Sequence, residues 1–304
     1  MRHVLPPILS PLCAMEGRSI AVFTVNAFTA EPFAGNPASV CLLEDPSAPD
    51  VLLQGIAAQM NHSETAFVTR LSEGDQFDTA DTFRLRWFTP TTEVKLCGHG
   101  TMAAAAVLFK VVGNKQPQLT FVTRWELRLT AVRDEDRIEL ELPLNAPQPV
   151  PAERFAQLAA AVCGQLPVVE SQLSEETGKL LLRLEDSCTV RQLEELKPEV
   201  GQLPRLHDGS EVRGVIVTLK DGGKFDFQSR YFAPWVGIPE DPVTGSAHTV
   251  LAPYWARQLD SDRLWARQCS ARAGQLGLAV DWDRQRVLVY GEAVVVLQGK
   301  LRIP

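Results

Sequence analysis

The chain has 304 residues, 45% of them hydrophobic and 22% charged, and a formal net charge of −7. That length suits two globular domains. The acidic balance argues against nucleic acid or an anionic membrane as the main partner, since either favours a basic surface, and no apolar run reaches the ~18 residues a spanning helix needs.

The first stretch, MRHVLPPILSPLCAMEG (residues 1–17), joins a basic residue to an apolar run, but Pro6, Pro7 and Pro11 interrupt it and strand-like text begins only at Ile20. It reads as a disordered extension rather than a signal peptide, with the protein in the cytoplasm. Six cysteines (Cys13, Cys41, Cys97, Cys163, Cys188, Cys269) are scattered without a C-x-x-C pair. Reduced thiols are expected, not a zinc site or a disulfide framework.

Alternating and β-branched runs predict strands at IAVFTVNAF, ASVCLLE, ETAFVTR, FRLRWFT, LTFVTRWELRLTAV and RIELELP. Among them DVLLQGIAAQMN predicts an amphipathic helix, with Leu52, Leu53, Ile56, Ala57 and Met60 on one face and Asn61 as a left-handed stop. PLNAPQPVPAERF, Pro143 to Phe155, carries four prolines and reads as the linker between two halves. Beyond it, helices are expected at AERFAQLAAAVCG and TVRQLEEL and strands at LLLRLED, RGVIVTL and FDFQSRYF. A last strand pair is expected at RVLVYG and AVVVLQGKLRI.

The chain also repeats itself. FRLRWFTP (Phe83 to Pro90) matches FQSRYFAP (Phe227 to Pro234) at Phe, Arg, aromatic, Phe and Pro, and each is followed by a glycine turn that opens a helix. The first turn is CGHGTMAAAAVLF and the second EDPVTGSAHTVLAPYW. The first helix is polar only at Thr101 and Lys110 over Thr101 to Val112, so it has to be enclosed on all sides. The expected fold is α+β, with two pseudo-symmetric lobes, each a curved sheet wrapped around a central helix. The lobes span 18–142, completed by a C-terminal strand over 293–304, and 143–292. The two glycine turns then face each other across a cleft.

Helix N-termini leave their first N–H groups unpaired and attract anions, and glycine lets a ligand approach the backbone. Two of them on one cleft suit a small carboxylate substrate. Glu64, in MNHSETAFV, stands where a helix hands over to a strand. It is either an exposed strand-end residue or, in a closed cleft, a carboxylate raised by desolvation into the range of a general acid or base. His99, between Gly98 and Gly100, is either a surface hydrogen-bonding residue or a second proton carrier. Asp241 and Ser246 are either turn and cap residues or part of the same site. Cys97, beside a helix N-terminus, invites a lowered pKa and nucleophilic chemistry. A two-thiol racemase needs a second cysteine at the matching turn, however, and DPVTGSA has none.

At NAFTAEPFAGNPASVC (Asn26 to Cys41), NHSETAFV, RWFTPTTEVKLCGHGT and RYFAPWVGIPEDPVTGSAH the chain resembles the PhzF-like, or phenazine biosynthesis-like, family, and within it the animal members. The family shares its fold with diaminopimelate epimerase. The resemblance runs from about Ile20 to the C-terminus and implies a homodimer that needs neither cofactor nor metal, with a protein partner as a further possibility in the family. It places a proton-shuttling glutamate on Glu64, the accompanying histidine on His99, the aspartate on Asp241 and the serine on Ser246. Asn36, Gly98, Gly100, Thr101, Thr244 and Gly245 are expected to bind substrate. The leading reading is a cofactor-independent isomerase of a small carboxylate-bearing metabolite. The alternatives are an interaction protein that keeps the fold with weak or no catalysis, and a one-cysteine racemase using Cys97.

Overall fold

The computed structural model describes residues 18–304, and the extension expected over residues 1–17 lies outside them. The first half runs β1 (Ser19–Ala27), β2 (Asn36–Leu43), α1 (Asp50–Met60), β3 (Thr65–Arg70), β4 (Thr82–Phe88), the short β5 (Glu93–Val94) and α2 (Gly98–Ala106). A π-helical turn, Val107–Val112, extends α2, and β6 (Gln118–Val122), β7 (Arg128–Asp134) and β8 (Arg137–Pro143) follow. The second half runs β9 (Gln148–Pro149), α3 (Ala156–Cys163), β10 (Val168–Ser174), β11 (Lys179–Leu184), α4 (Val190–Glu194), α5 (Leu203–Leu206), β12 (Gly214–Lys220) and β13 (Phe227–Phe232). It ends with α6 (Gly245–Leu259), β14 (Arg263–Gln268), β15 (Gly274–Asp281) and β16 (Arg286–Arg302).

The internal repeat is a repeat of topology. From β1 the pairings run antiparallel, parallel, antiparallel and parallel through β2, β3, β4 and β6, then antiparallel to β7 and β8. From β10 the same alternation runs through β11, β12, β13, β14, β15 and β16. The matched strands β4 and β13 occupy the same position in each half, and each is joined to its parallel neighbour by a long buried helix, α2 or α6. A parallel neighbour needs such a crossover, and here the crossover fills the inside of the curved sheet.

Burial follows from composition. Every residue of α2 from His99 to Ala106 is buried, as its apolar circumference requires. Strands β1, β2, β3, β4, β7, β8 and β16 direct their apolar faces onto it, with Trp87, Phe83 and Leu85 fully enclosed. Helix α1 lies outside the sheet, with Leu53, Ile56 and Ala57 buried and Asn61 closing it at φ 52°, as its pattern predicts.

Two expectations need correction. The last strand pair is one continuous strand, β16. It pairs with β8 over Arg286 to Glu292 and with β1 over Ala293 to Arg302, so it crosses from one lobe to the other without a turn. It thereby closes β1–β4 and β6–β8 into an eight-stranded barrel. The proline-rich linker is also less free than its composition suggests. Asn145 N–H donates to Thr249 O, and β9 adds an edge to β10. The run LTFVTRWELRLTAV divides into β6 and β7 around a turn in which Thr123 N–H donates to Leu127 O.

Candidate active site

The two helix N-termini meet. A Cβ added to Gly98 would lie 3.8 Å from the Gly245 Cα, and one added to Gly245 the same distance from the Gly98 Cα. No other residue type would bring the two backbones together without a methyl group between them. In α2 the N–H groups of Gly100 and Thr101 are taken by Cys97 Sγ and Cys97 O. In α6 those of Ala247 and His248 go to Thr244 O. Gly98, His99, Gly245 and Ser246 therefore carry the leading N–H groups that each helix cannot satisfy itself. They border a cavity of about 330 Å³.

Glu64 and His99 line this cavity and are both buried. Glu64 ends the connection from α1, where the chain enters β3. His99 Nε2 lies 3.2 Å from Glu64 Oε2 and 3.3 Å from Ser63 Oγ, while its Nδ1 lies 3.5 Å from Cys97 Sγ. The Glu64 contact is an ion pair but is not aligned as a hydrogen bond, so Oε2 is a buried carboxylate oxygen with no hydrogen-bonded proton. Burial pushes the Glu64 carboxyl up, but the charge of His99 and the polar contacts with His99 and Ser63 bring it below its ordinary range. This corrects the expectation of a carboxylate raised by desolvation. His99 is held well above its ordinary value: burial alone would lower it, and Cys97 and Glu64 raise it. The pair is a carboxylate beside an imidazolium at neutral pH.

Asp241 comes from the second half, and the Gly-Asn-Pro segment holds it in place. Asn36 Nδ2 donates to Asp241 Oδ1 at 2.9 Å and to Val243 O at 2.8 Å, and Thr244 Oγ1 donates to Asp241 Oδ2. Gln268 clamps the same loop, donating to Asp241 O and accepting from Thr244 N–H. Burial pushes the Asp241 carboxyl up, with His99, Thr244 and Asn36 opposing and Glu64 reinforcing. Just ahead of Asn36 the chain turns at Gly35, φ 68°, where a Cβ would stand 2.3 Å from Ala27 O.

The structure thus brings Glu64, His99, Asp241 and Ser246 to one cavity, with Gly98, Thr244 and Gly245 beside them. Asn36, Gly100 and Thr101, expected among the substrate contacts, do not line it. Asn36 is fully buried behind Asp241. Gly100 is small because a Cβ there would meet Trp87 Cδ1 at 2.8 Å, and Thr101 Oγ1 is spent on Cys97 O at 2.6 Å. Cys97 is the N-cap of α2 and buried. Burial and the neighbouring Glu64 push its thiol up despite His99, so the lowered pKa expected of a helix N-terminus does not arise. Among the described residues, Glu64, Cys97 and His99 are the one group with metal-ligand donor atoms, all within 4.8 Å. The imidazole faces the thiol with one nitrogen and the carboxylate with the other.

A family model for phenazine biosynthesis-like proteins matches residues 25–299. The chain belongs to the phenazine biosynthesis-like (PhzC-PhzF) family. It is 48% identical over 287 residues to a phenazine biosynthesis-like domain-containing protein of Rattus norvegicus, covering 93% of this chain and 99% of that one. An uncharacterized isomerase of Pseudomonas aeruginosa is 43% identical over 279 residues, with 92% and 97% covered. A PhzF-family crystal structure from Enterococcus faecalis superposes with a TM-score of 0.82 at 34% identity, covering 94% of this chain and all of that one. Isomerase-type function is therefore supported in general terms, and the two-lobed α+β fold is that of PhzF-like and epimerase-fold proteins.

The cavity also has a wall that includes residues outside those motifs, Asn145, Thr177 and Lys179. Lys179, Thr177, Tyr231, Asn145, Val236 and Ile238 line its far side. In the sequence Lys179 follows an ETG turn and reads as a solvated strand end. It opens the strand KLLLRL, in which Arg183 is the one other charged residue.

Proposed function

We propose that this protein is a cofactor-independent isomerase of a small carboxylate-bearing metabolite, working by general acid–base proton transfer. The observation that carries the reading is Glu64 Oε2: a buried, charged carboxylate oxygen without a hydrogen-bonded proton, at the cavity where two helix N-termini meet. Glu64 removes a proton from an activated carbon. The C–H bond breaks, an O–H bond forms, and the electron pair spreads into the conjugated system of the substrate. The same carboxyl returns the proton to a different carbon, so the reaction is redox-neutral. The free N–H groups of Gly98, His99, Gly245 and Ser246 hold the substrate carboxylate and the charge that develops on it. The His99 imidazolium keeps Glu64 ionised between turnovers, and Asp241 and Ser246 position the substrate. On family resemblance the reading includes a cytoplasmic homodimer.

The test is deuterium wash-in. The protein is incubated in D₂O with a panel of cyclic and unsaturated amino and hydroxy acids, and exchange is followed by mass spectrometry. Exchange that depends on Glu64 supports the mechanism. No exchange across the panel, with ligand binding intact, counts against it.

A further inference from the structure

Lys179 is a buried ammonium without a partner. It is 8% exposed, and among the described residues it makes neither a hydrogen bond nor an ion pair. It lines the same cavity as Glu64 and His99. A charge removed from water in this way is costly unless something compensates it. The groups that face it are Arg213, which repels it, Asp241, Tyr231 and, across the cavity, Glu64 and His99. Neither carboxylate forms an ion pair or hydrogen bond with it, and each has another partner. Both Asp241 oxygens are taken by Asn36 and Thr244, and Glu64 is paired with His99. The aromatic face of Tyr231, with its centroid 5.9 Å from Nζ, gives at most a weak cation–π contact.

The wall is constructed to hold the ammonium there. Lys179 opens β11, fixed between Ser174 of β10 and Gly214 of β12. A Cβ on Gly214 would lie 2.1 Å from the Tyr231 hydroxyl, so the missing side chain leaves the space into which Tyr231 packs. Burial and Arg213 lower the Lys179 pKa to about 8 against the pull of Asp241, which leaves the group mostly charged at neutral pH.

We infer that Lys179 is a substrate-binding residue that receives a second anionic group, so that the substrate class is a small dianion with one carboxylate on the paired helix N-termini and another acidic group on Lys179. This rests on the isomerase reading for the identity of the site, but its test is a binding test.

Isothermal titration of the full chain with succinate and with butyrate separates the two questions. At pH 7 the wild type is expected to bind succinate at least tenfold more tightly than butyrate. Lys179→Met and Lys179→Gln should each abolish that preference while leaving butyrate binding within about threefold and the melting temperature unchanged or higher. Above pH 8 the wild-type preference should shrink as Lys179 loses its proton, and in Lys179→Met it should be flat. Equal affinity for the two acids in the wild type, a preference that survives in Lys179→Met, or a melting temperature lowered by both variants would each overturn the inference. Failure of deuterium wash-in with succinate selectivity intact would defeat the proton-transfer reading and leave this one standing.

Discussion

Glu64→Gln removes one charge and leaves shape and volume nearly unchanged. If Glu64 carries the proton, exchange in the wash-in assay should fall by about 10²–10⁴-fold, the range for losing a general acid–base group. The histidine should respond as well. Burial pulls the His99 pKa down, and Cys97 and Glu64 hold it up. Without the Glu64 charge, burial gains weight and the His99 pKa falls from its present position, well above 6.5. Stability should also fall. Because the folded carboxyl sits below 4.5, the ionised form is favoured by folding at neutral pH, and the amide forfeits that contribution. We expect about 1–3 kcal/mol, the scale of leaving a buried polar partner unsatisfied. The loss stays below the ~3–5 kcal/mol of an orphaned buried charge because His99 can release its proton. That corresponds to a melting temperature lower by several degrees. Mass spectrometry reads the exchange, imidazole NMR the titration and calorimetry the melting. Wild-type exchange in Glu64→Gln would refute the mechanism, and an unmoved His99 titration would refute the electrostatic coupling behind it.

Cys97→Ser should keep exchange within about tenfold of wild type, since the buried thiol is pushed up and no partner thiol faces it; a thousandfold loss with intact folding would restore a thiol mechanism. Gly98→Ala should fold, because its Cβ meets only ordinary contacts at 3.8 Å, yet bind butyrate at least tenfold more weakly, measured by titration, as the methyl intrudes between the helix ends. Gly100→Ala should instead cost about 1–3 kcal/mol by overpacking against Trp87 and Cys97, read by denaturant unfolding. The stability–pH curve should be highest between about pH 4.5 and 6.5. The Glu64 contribution is present above 4.5 and lost as pH falls through its lower folded value. The His99 contribution is complete below 6.5 and lost as pH rises through its higher folded value. Glu64→Gln should remove the acid limb of that dependence.

The parts of this molecule legible in its sequence are those written in local pattern. The all-apolar helix after His99 demanded enclosure, and it is enclosed. The match of FRLRWFTP to FQSRYFAP signalled equivalent strands, and β4 and β13 are equivalent. What was not legible depends on distance in the chain. The return of 293–304 to the first lobe was expected, but nothing local in RVLVYGEAVVVLQGKLR shows that the segment before it continues into the same strand and pairs with β8, so the run reads as two strands. Glu64 was located by its motif but assigned the wrong direction of pKa shift, because the sign depends on His99, brought across the fold to 3.2 Å. Asn36, Gly100 and Thr101 were grouped with the substrate contacts because motifs mark positions that matter without saying what each one touches. Lys179 has no motif, and only the cavity identifies it.

The pseudo-twofold relation clarifies what kind of proton transfer the site can support. Cys97 caps α2, and the corresponding residue before α6 is Thr244. A symmetric site with a thiol at both caps could take a proton from one face of a carbon and deliver another to the opposite face. Here one cap is a buried, protonated thiol and the other a hydroxyl that donates to Asp241, so neither is a free base. The proposed proton carrier stands on one side only, where the α1–β3 connection brings Glu64 against His99. The second half supplies Asp241, Ser246 and Lys179, groups suited to holding a substrate still. On the proposed mechanism the duplicated fold divides its labour: both halves give a helix N-terminus for negative charge, the first moves the proton, and the second fixes the molecule that receives it. Such a site favours moving a proton between two carbons on one face of a bound acid over inverting a single stereocentre.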